Sequence, residues 1–264
     1  MKKYWIIARG IMEETMTYRL SFIMWRFRGV LQFLVLYYLW LALLPGNQTL
    51  FGYSQSRILT YVFASTLMSA IIFSTRVAEL GETINKGDLS NDLLRPANYL
   101  LMWAARDVGD KLMNIMFSIG EFTILFIILR PPFFFQSNPF FLAATVITIA
   151  IATILFFFIN MLLGCIGFWS NETWAPRFIF TILLQFFSGG LFPLDILPKP
   201  LFAFFSATPF PYLLYIPLKI YLGQLSFFEI GKSFFIASAW MIGVYLLLKI
   251  VWNKGMKLYT AQGR

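Results

Sequence analysis

The sequence predicts an all-α membrane protein with six transmembrane helices. Three observations predict it. Of 264 residues, 59% are hydrophobic and 12% charged; the apolar residues fall into runs long enough to cross a bilayer; and the basic residues gather in alternate connections between those runs. A soluble domain carries about 25% charged residues, so this chain has too little polar surface to cover a water-facing globule, and part of its solvent is lipid. Phe is the extreme case, with 31 copies against 21 Lys and Arg together. The net charge of +9 flanks apolar runs instead of lining one groove. That placement reads as topology signal and lipid-headgroup contact, and it excludes a nucleic-acid surface. There is no His, and Cys165 is the single cysteine, inside an apolar run. An intrachain disulfide, a CxxC redox or metal motif and the commonest general base are therefore absent, and Cys165 reads as a small packing residue.

A spanning helix needs roughly 20 mainly apolar residues. The N-terminus, MKKYWIIARG, is not read as a cleavable signal, because Arg9, Glu13 and Glu14 interrupt its apolar stretch. Tyr4, Trp5, Ile7 and Ile11 interleave with Lys3, Arg9, Glu13 and Glu14, which predicts an amphipathic helix along the inner membrane face. The first span is Trp25 to Leu44, stopped by Pro45-Gly46, with Arg26 and Arg28 in its first turn where they can snorkel to headgroups. The second is Ile58 to Thr75, and the third Leu112 to Leu129, interrupted by Glu121. The fourth, Phe140 to Trp169, exceeds a roughly 30 Å hydrocarbon core at ~1.5 Å per residue and should tilt or project. The fifth is Phe178 to Leu194 and the sixth Ser233 to Trp252.

Residues 197–222 are apolar enough for a seventh span but contain Pro198, Pro200, Pro209, Pro211 and Pro217. Each interior proline deletes a backbone bond that lipid cannot replace, so a re-entrant or interfacial hairpin is the better reading. Charge agrees. Six spans with the N-terminus inside leave only Arg57, Arg130, Lys199, Lys219 and Lys232 of the 21 basic residues outside. A seventh span would export the basic C-terminus; both termini are therefore expected in the cytoplasm of a cell's inner or plasma membrane.

This order of parts resembles the permease subunit of ABC-2 type transporters, over nearly the whole chain, as one transmembrane domain spanning 1–264. The pieces that carry the resemblance are INKGDLSNDLLRP (Ile84 to Pro96), GGLFPLDILP (Gly189 to Pro198) and TPFPY (Thr208 to Tyr212). It implies that two permeases, identical or related, pair to form a pathway above two separately encoded ATPase subunits. Those subunits would bind ATP and Mg; this chain would bind no cofactor or metal, and cargo would move outward. The resemblance also implies that the inner loop after the second span, Val77 to Pro96, holds a coupling helix that docks into the ATPase, with Ser170 to Arg177 as a smaller second contact.

The residues themselves fit a docking role. Glu79, Glu82, Lys86, Asp88, Asp92 and Arg95 alternate with Leu80, Ile84, Leu89, Leu93 and Leu94, with Gly81 and Gly87 permitting tight turns. An apolar side could fill a partner's groove while charge sets the register; the bland alternative is a solvated loop. Asn171, Glu172 and Trp174 mark the second contact. Glu121 is either a pathway residue meeting cationic cargo or a proton, or a buried acid bonded to a neighbouring helix near Asn114 or Asn160. Asn160, Phe186 and Phe187 complete the expected pathway set. Gly189, Gly190, Phe192 and Pro193 break the fifth helix, as an extracellular gate or as a plain turn. Gly231-Lys232-Ser233 mimics the end of a phosphate loop, but Ser226 stands where its first glycine belongs.

Three function classes follow: an ATP-powered exporter of a hydrophobic or amphipathic compound, an ion-gradient transporter or channel relying on Glu121, and a membrane enzyme. The last lacks histidine, an intramembrane acid pair and a metal-ligand cluster.

Overall fold

A computed structural model describes residues 2–44 and 49–260. Pro45-Gly46 and the terminal Arg264 lie outside the described residues. Helix α1 (Lys2–Thr17) is followed by α2 (Arg19–Leu43), α3 (Gln55–Ile72), the short α4 (Leu80–Asn85) and α5 (Leu89–Leu93), then α6 (Tyr99–Leu129) and α7 (Pro139–Gly164). After α8 (Trp174–Phe187) come the short α9 (Lys199–Ser206), α10 (Phe210–Leu213) and α11 (Tyr215–Tyr221), and finally α12 (Phe227–Met256). The extended segments among the described residues are the strands β1 (Thr49–Leu50) and β2 (Tyr53–Ser54), paired antiparallel. Phe51 and Gly52 both have positive φ between them, the requirement of a tight two-residue hairpin.

Helices α3, α6, α7 and α12 start on side-chain caps. Ser54 accepts from the Arg57 amide, Asn98 from Leu101 and Asn138 from Phe140, with Pro139 opening α7. Ser226 and Glu229 form a reciprocal capping box at α12. That helix contains Gly231, Lys232 and Ser233, so no phosphate loop forms there.

Four helices, α2, α6, α7 with its Cys165–Phe168 turn, and α12, are long and apolar enough to cross a membrane among the described residues; α3 bent by 56° into Val77–Asn85 makes a fifth. Large apolar residues face outward along them, such as Val35 on α2, Ile124 and Ile128 on α6, and Phe235 and Ile242 on α12. A water-exposed monomer would not tolerate such a belt; this is an integral membrane protein. Helix α8, the expected fifth span, is apolar but only 14 residues long, about 21 Å at ~1.5 Å per residue.

One boundary is corrected. The third span does not begin at Leu112: α6 starts at Tyr99, so much of the expected inner loop is a continuation of the membrane helix. That extension gives α1 a surface to pack along, and Gly109 lies so close to the Ala8 carbonyl that a side chain there would collide with it. The remainder of the loop is helical as α4 and α5. Residues 197–222 are also helical, as three short pieces divided where prolines interrupt the ladder.

Hydrogen bonds gather the connections at two ends. At one end, Lys3 donates to the Pro96 carbonyl at 2.7 Å, and the Tyr259 hydroxyl donates to Gly87 at 2.7 Å. Both ends of the described chain therefore meet the α3–α6 connection. At the other, Phe134 N donates to Thr60 at 2.8 Å and Gln136 to the Tyr221 carbonyl at 2.9 Å. The core divides likewise. One cluster centres on Phe33, Tyr61, Phe63, Leu155 and Tyr215, and another on Leu80, Trp103, Met161, Cys165 and Leu248.

Candidate functional site

The end that holds α4 and α5 carries the densest polar structure. Leu80, Ile84 and Leu89 are buried among Phe157, Met161, Cys165 and Phe168, so the apolar side expected to fill a partner's groove is used inside the chain. Leu93 and Leu94 remain exposed. The close approach depends on glycines. A Cβ on Gly167 would sit 2.6 Å from the Gly81 carbonyl oxygen, one on Gly164 2.6 Å from Leu80, and one on Gly81 2.8 Å from Thr173. Gly167→Ala is expected to cost about 1–3 kcal/mol by overpacking. Gly10→Ala, on open helix surface, should be neutral or stabilise by about 0.4–1 kcal/mol. Thermal unfolding of the two variants in detergent checks the contrast.

Of the expected docking residues, Glu79, Glu82, Lys86, Asp88, Leu93, Leu94 and Arg95 are exposed, as are Asn171, Glu172 and Trp174; Ile84 and Gly87 are buried. Asn85 donates to the Asn171 carbonyl at 3.0 Å, so the two segments, far apart in sequence, form one face. Glu172 accepts from the Trp174 and Ala175 amides at 2.9 and 3.2 Å and opens α8 as a cap. Lys86 lies 2.6 Å from Glu82; the hydrogen bond and then the charge of Glu82 raise its pKa. Gly87 turns with φ 81°. Its carbonyl and the Ser90 amide are both bonded by the Tyr259 hydroxyl, which ties the C-terminal segment to the turn between α4 and α5.

Arg76, between α3 and α4, bonds to α1, to the Val77–Glu79 turn and to α6. Its guanidinium reaches Glu79 at 2.9 Å, Asp110 at 3.3 Å and Glu14 at 3.6 Å, and donates to Thr15 at 3.1 Å. Its amide donates to Asp107 at 3.2 Å. Burial works against the charge, but the bond to Glu79 and the charges of Glu79, Asp110 and Glu14 outweigh it and raise the Arg76 pKa. Lys111 pairs with Asp107 at 3.3 Å and donates to the Ile72 and Ser74 carbonyls, closing the last turn of α3. Arg106 reaches both oxygens of buried Asp92 at 3.2 Å and lies over the Trp103 ring. Sequence reasoning missed this network because α6 was expected to begin at Leu112. The available signal was the helical spacing of Asp107, Asp110 and Lys111.

Glu121 lies about 12 Å along α6 from Leu129 at ~1.5 Å per residue, near mid-depth of a bilayer core. It accepts two bonds from the Arg26 guanidinium, one at 2.7 Å, and Arg26 also donates to Asn114 at 3.2 Å and Ser118 at 2.9 Å. Arg26 therefore does not snorkel to headgroups as expected: an acid at this depth, where an unpaired charge is costly, takes it instead. Arg28 lies over the Trp25 ring. Buried Asn160 is elsewhere, donating to the Phe156 carbonyl of its own helix at 3.0 Å.

At the opposite end, α8 stops in Gly189, with φ 81°. The Tyr61 hydroxyl donates to the Gly189 carbonyl at 2.6 Å. Gly190 donates to Gln185, and Pro193 is buried with Phe192 packed partly on the core. Phe187 packs against Phe205 at 4.5 Å and edge-to-face against Phe210 at 5.6 Å between centroids, whereas Phe186 is exposed. The Lys219 ammonium binds Asp195 at 2.8 Å and donates to the Tyr53 hydroxyl at 3.1 Å; that hydroxyl in turn donates to Asp195 at 3.0 Å. Burial, then the Asp195 charge, raises the Tyr53 pKa well above the usual phenol value. This triad closes the segment from α9 to α11 back onto the end of α8, a link with no local sequence signal.

A helical membrane bundle with a charged, multiply braced platform at one end and an apolar interior defines an integral membrane transport component. A family model described as ABC-2 family transporter protein matches residues 30–263. The chain belongs to that family: it is a permease of the ABC transporter kind, whose members are transport components rather than catalysts and in general work with an ABC ATPase. No match to a curated protein was found.

Proposed function

We propose that this chain is one half of the membrane pathway of an ABC exporter, moving a hydrophobic or amphipathic compound outward across the cytoplasmic membrane. ATP and Mg are bound by a separate ATPase subunit, and a second permease, identical or related, completes the pathway. The chain crosses six times, through α2, α3, α6, α7, α8 and α12. The turn Ser188 to Ile196 fills the depth that α8 leaves, and α9 to α11 form a hairpin that enters and leaves on the outer side. Helix α1 lies at the inner surface and both termini are cytoplasmic. Even crossing is supported by the bonding of both ends of the chain to the α3–α6 connection.

The observation that carries the reading is the inner face itself. The exposed charges Glu79, Glu82, Lys86, Asp88 and Arg95, on α4 and the turns around α4 and α5, share a face with Asn171, Glu172 and Trp174, linked by the Asn85–Asn171 bond. Such a face can receive a soluble partner's movement and pass it to the spans, because Arg76 joins it to α1 and α6. Deletion of Glu82 to Leu94 is expected to abolish ATP-driven transport and ATPase copurification while the chain still inserts. Copurification and vesicle transport assays check this, and normal transport by the deletion would end the coupling reading. The ion-gradient alternative gains nothing from Glu121, whose carboxylate is committed to Arg26. Persistent vanadate sensitivity of transport separates the two.

A further inference from the structure

An apolar cleft of about 440 Å³ lies between α3 and α6, within the ~300–1,000 Å³ usual for small-molecule sites. Phe63, Ala64 and Met68 form one wall, Thr123 and Phe126 the other, and Phe133 crosses the end. Ile119 and Ile127 at its edge are exposed, so the cleft opens on the flank of the bundle that hydrocarbon surrounds. Water would gain nothing there, and a hydrocarbon chain would fill it.

Its mouth is basic. Arg57 stands two turns before Ala64 and three before Met68, which puts it on the cleft face of α3. Arg130 closes α6 one turn beyond Phe126 and two beyond Thr123, and its left-handed backbone (φ 43°) ends the helix at that point. Both arginines are exposed, and neither belongs to an ion pair among the described residues. The described acids at this end are otherwise engaged: Asp195 by Lys219 and Tyr53, and Glu229 in its own helix cap. Two free guanidiniums above an apolar slot complement an anionic headgroup above a chain, and the bidentate fork of Arg suits phosphate.

We propose that this cleft is a binding site for an anionic phospholipid, with one acyl chain between α3 and α6 and its phosphate on Arg57 and Arg130. The site is distinct from the coupling face and lies at the opposite end of the bundle. It does not depend on transport or on an ATPase partner.

The test uses the purified full chain in nanodiscs containing phosphatidylglycerol with a photoactivatable diazirine at its chain end, or phosphatidylcholine with the same chain. Phosphatidylglycerol is expected to label residues 63–68 and 119–127 in preference to other lipid-facing segments. The R57Q/R130Q double variant should lower that labelling at least about tenfold, as the loss of two charge-assisted contacts implies. Phosphatidylcholine labelling should be weaker and unchanged by the variant. A64W, which fills the slot, should remove the label from both lipids. Labelling of Phe235 and Ile242 on α12 should persist in every variant and reports insertion. The proposal is overturned if the two lipids label the cleft equally and R57Q/R130Q changes neither. Label spread evenly over α2 and α12 overturns it too, as does disulfide trapping of two copies through L67C with no lipid label in the cleft. Because no transport is measured, failure here leaves the permease reading standing, and the reverse holds.

Discussion

Glu121→Ala is expected to destabilise the folded chain by about 3–5 kcal/mol, the usual cost of stripping one partner from a buried ion pair. The carboxylate holds two bonds from Arg26, and without it Asn114 and Ser118 are the guanidinium's remaining partners among the described residues. They can accept hydrogen bonds but cannot balance the charge. The double variant R26M/E121M should recover most of the loss, since an apolar pair of similar volume carries no desolvation penalty. Equilibrium unfolding in mixed micelles measures both. An E121A protein as stable as the parent would show that the pair does not hold α2 to α6. A stable R26M/E121M protein that inserts but no longer transports would instead place Glu121 in the cargo path.

The second large effect concerns Arg76. Arg76→Gln should lower ATP-driven transport by roughly 5- to 150-fold, the span of typical coupling free energies, while the ATPase subunit still copurifies. Arg76 bonds α1 through Glu14 and Thr15, the turn before α4 through Glu79, and α6 through Asp110. The amide of glutamine keeps some hydrogen bonding but drops the charge that three carboxylates share. Arg76→Lys keeps the charge without the planar fork and should fall between the two. Transport at the parental rate by Arg76→Gln would mean that force reaches the spans by another route. Loss of ATPase binding by the same variant would mean that Arg76 shapes the docking face and does not merely transmit through it.

Much of the architecture was legible in one sequence because lipid permits few solutions. Backbone groups in hydrocarbon must bond within their own segment, so a long apolar run already implies a helix, and prolines mark where one cannot continue. That logic placed α2, α7 and α12 within a few residues and separated residues 197–222 as a broken segment. It failed at α6. Arg106, Asp107, Asp110 and Lys111 made Tyr99 to Lys111 look like loop, yet each finds a partner on a neighbouring element, and with charges matched the helix runs on. It failed again at Ile84 and Leu80, whose alternation with charge resembles a free amphipathic surface. Only the glycines at 81, 164 and 167 let the chain approach closely enough to bury them.

Composition and the order of apolar runs by themselves determined a helical membrane protein, and with its motifs they pointed to its family. Those follow from solvation, which acts on segments. Pairing was decided by tertiary structure alone: Arg26 with Glu121, Lys219 with Asp195 and Tyr53, and Arg76 with acids from three elements. A charge in a low-dielectric interior must find a counter-charge within a few ångströms, and which residue comes within that distance depends on how helices cross. Local sequence carries no record of that crossing, so the residues that lock this bundle became visible only when the helices were packed.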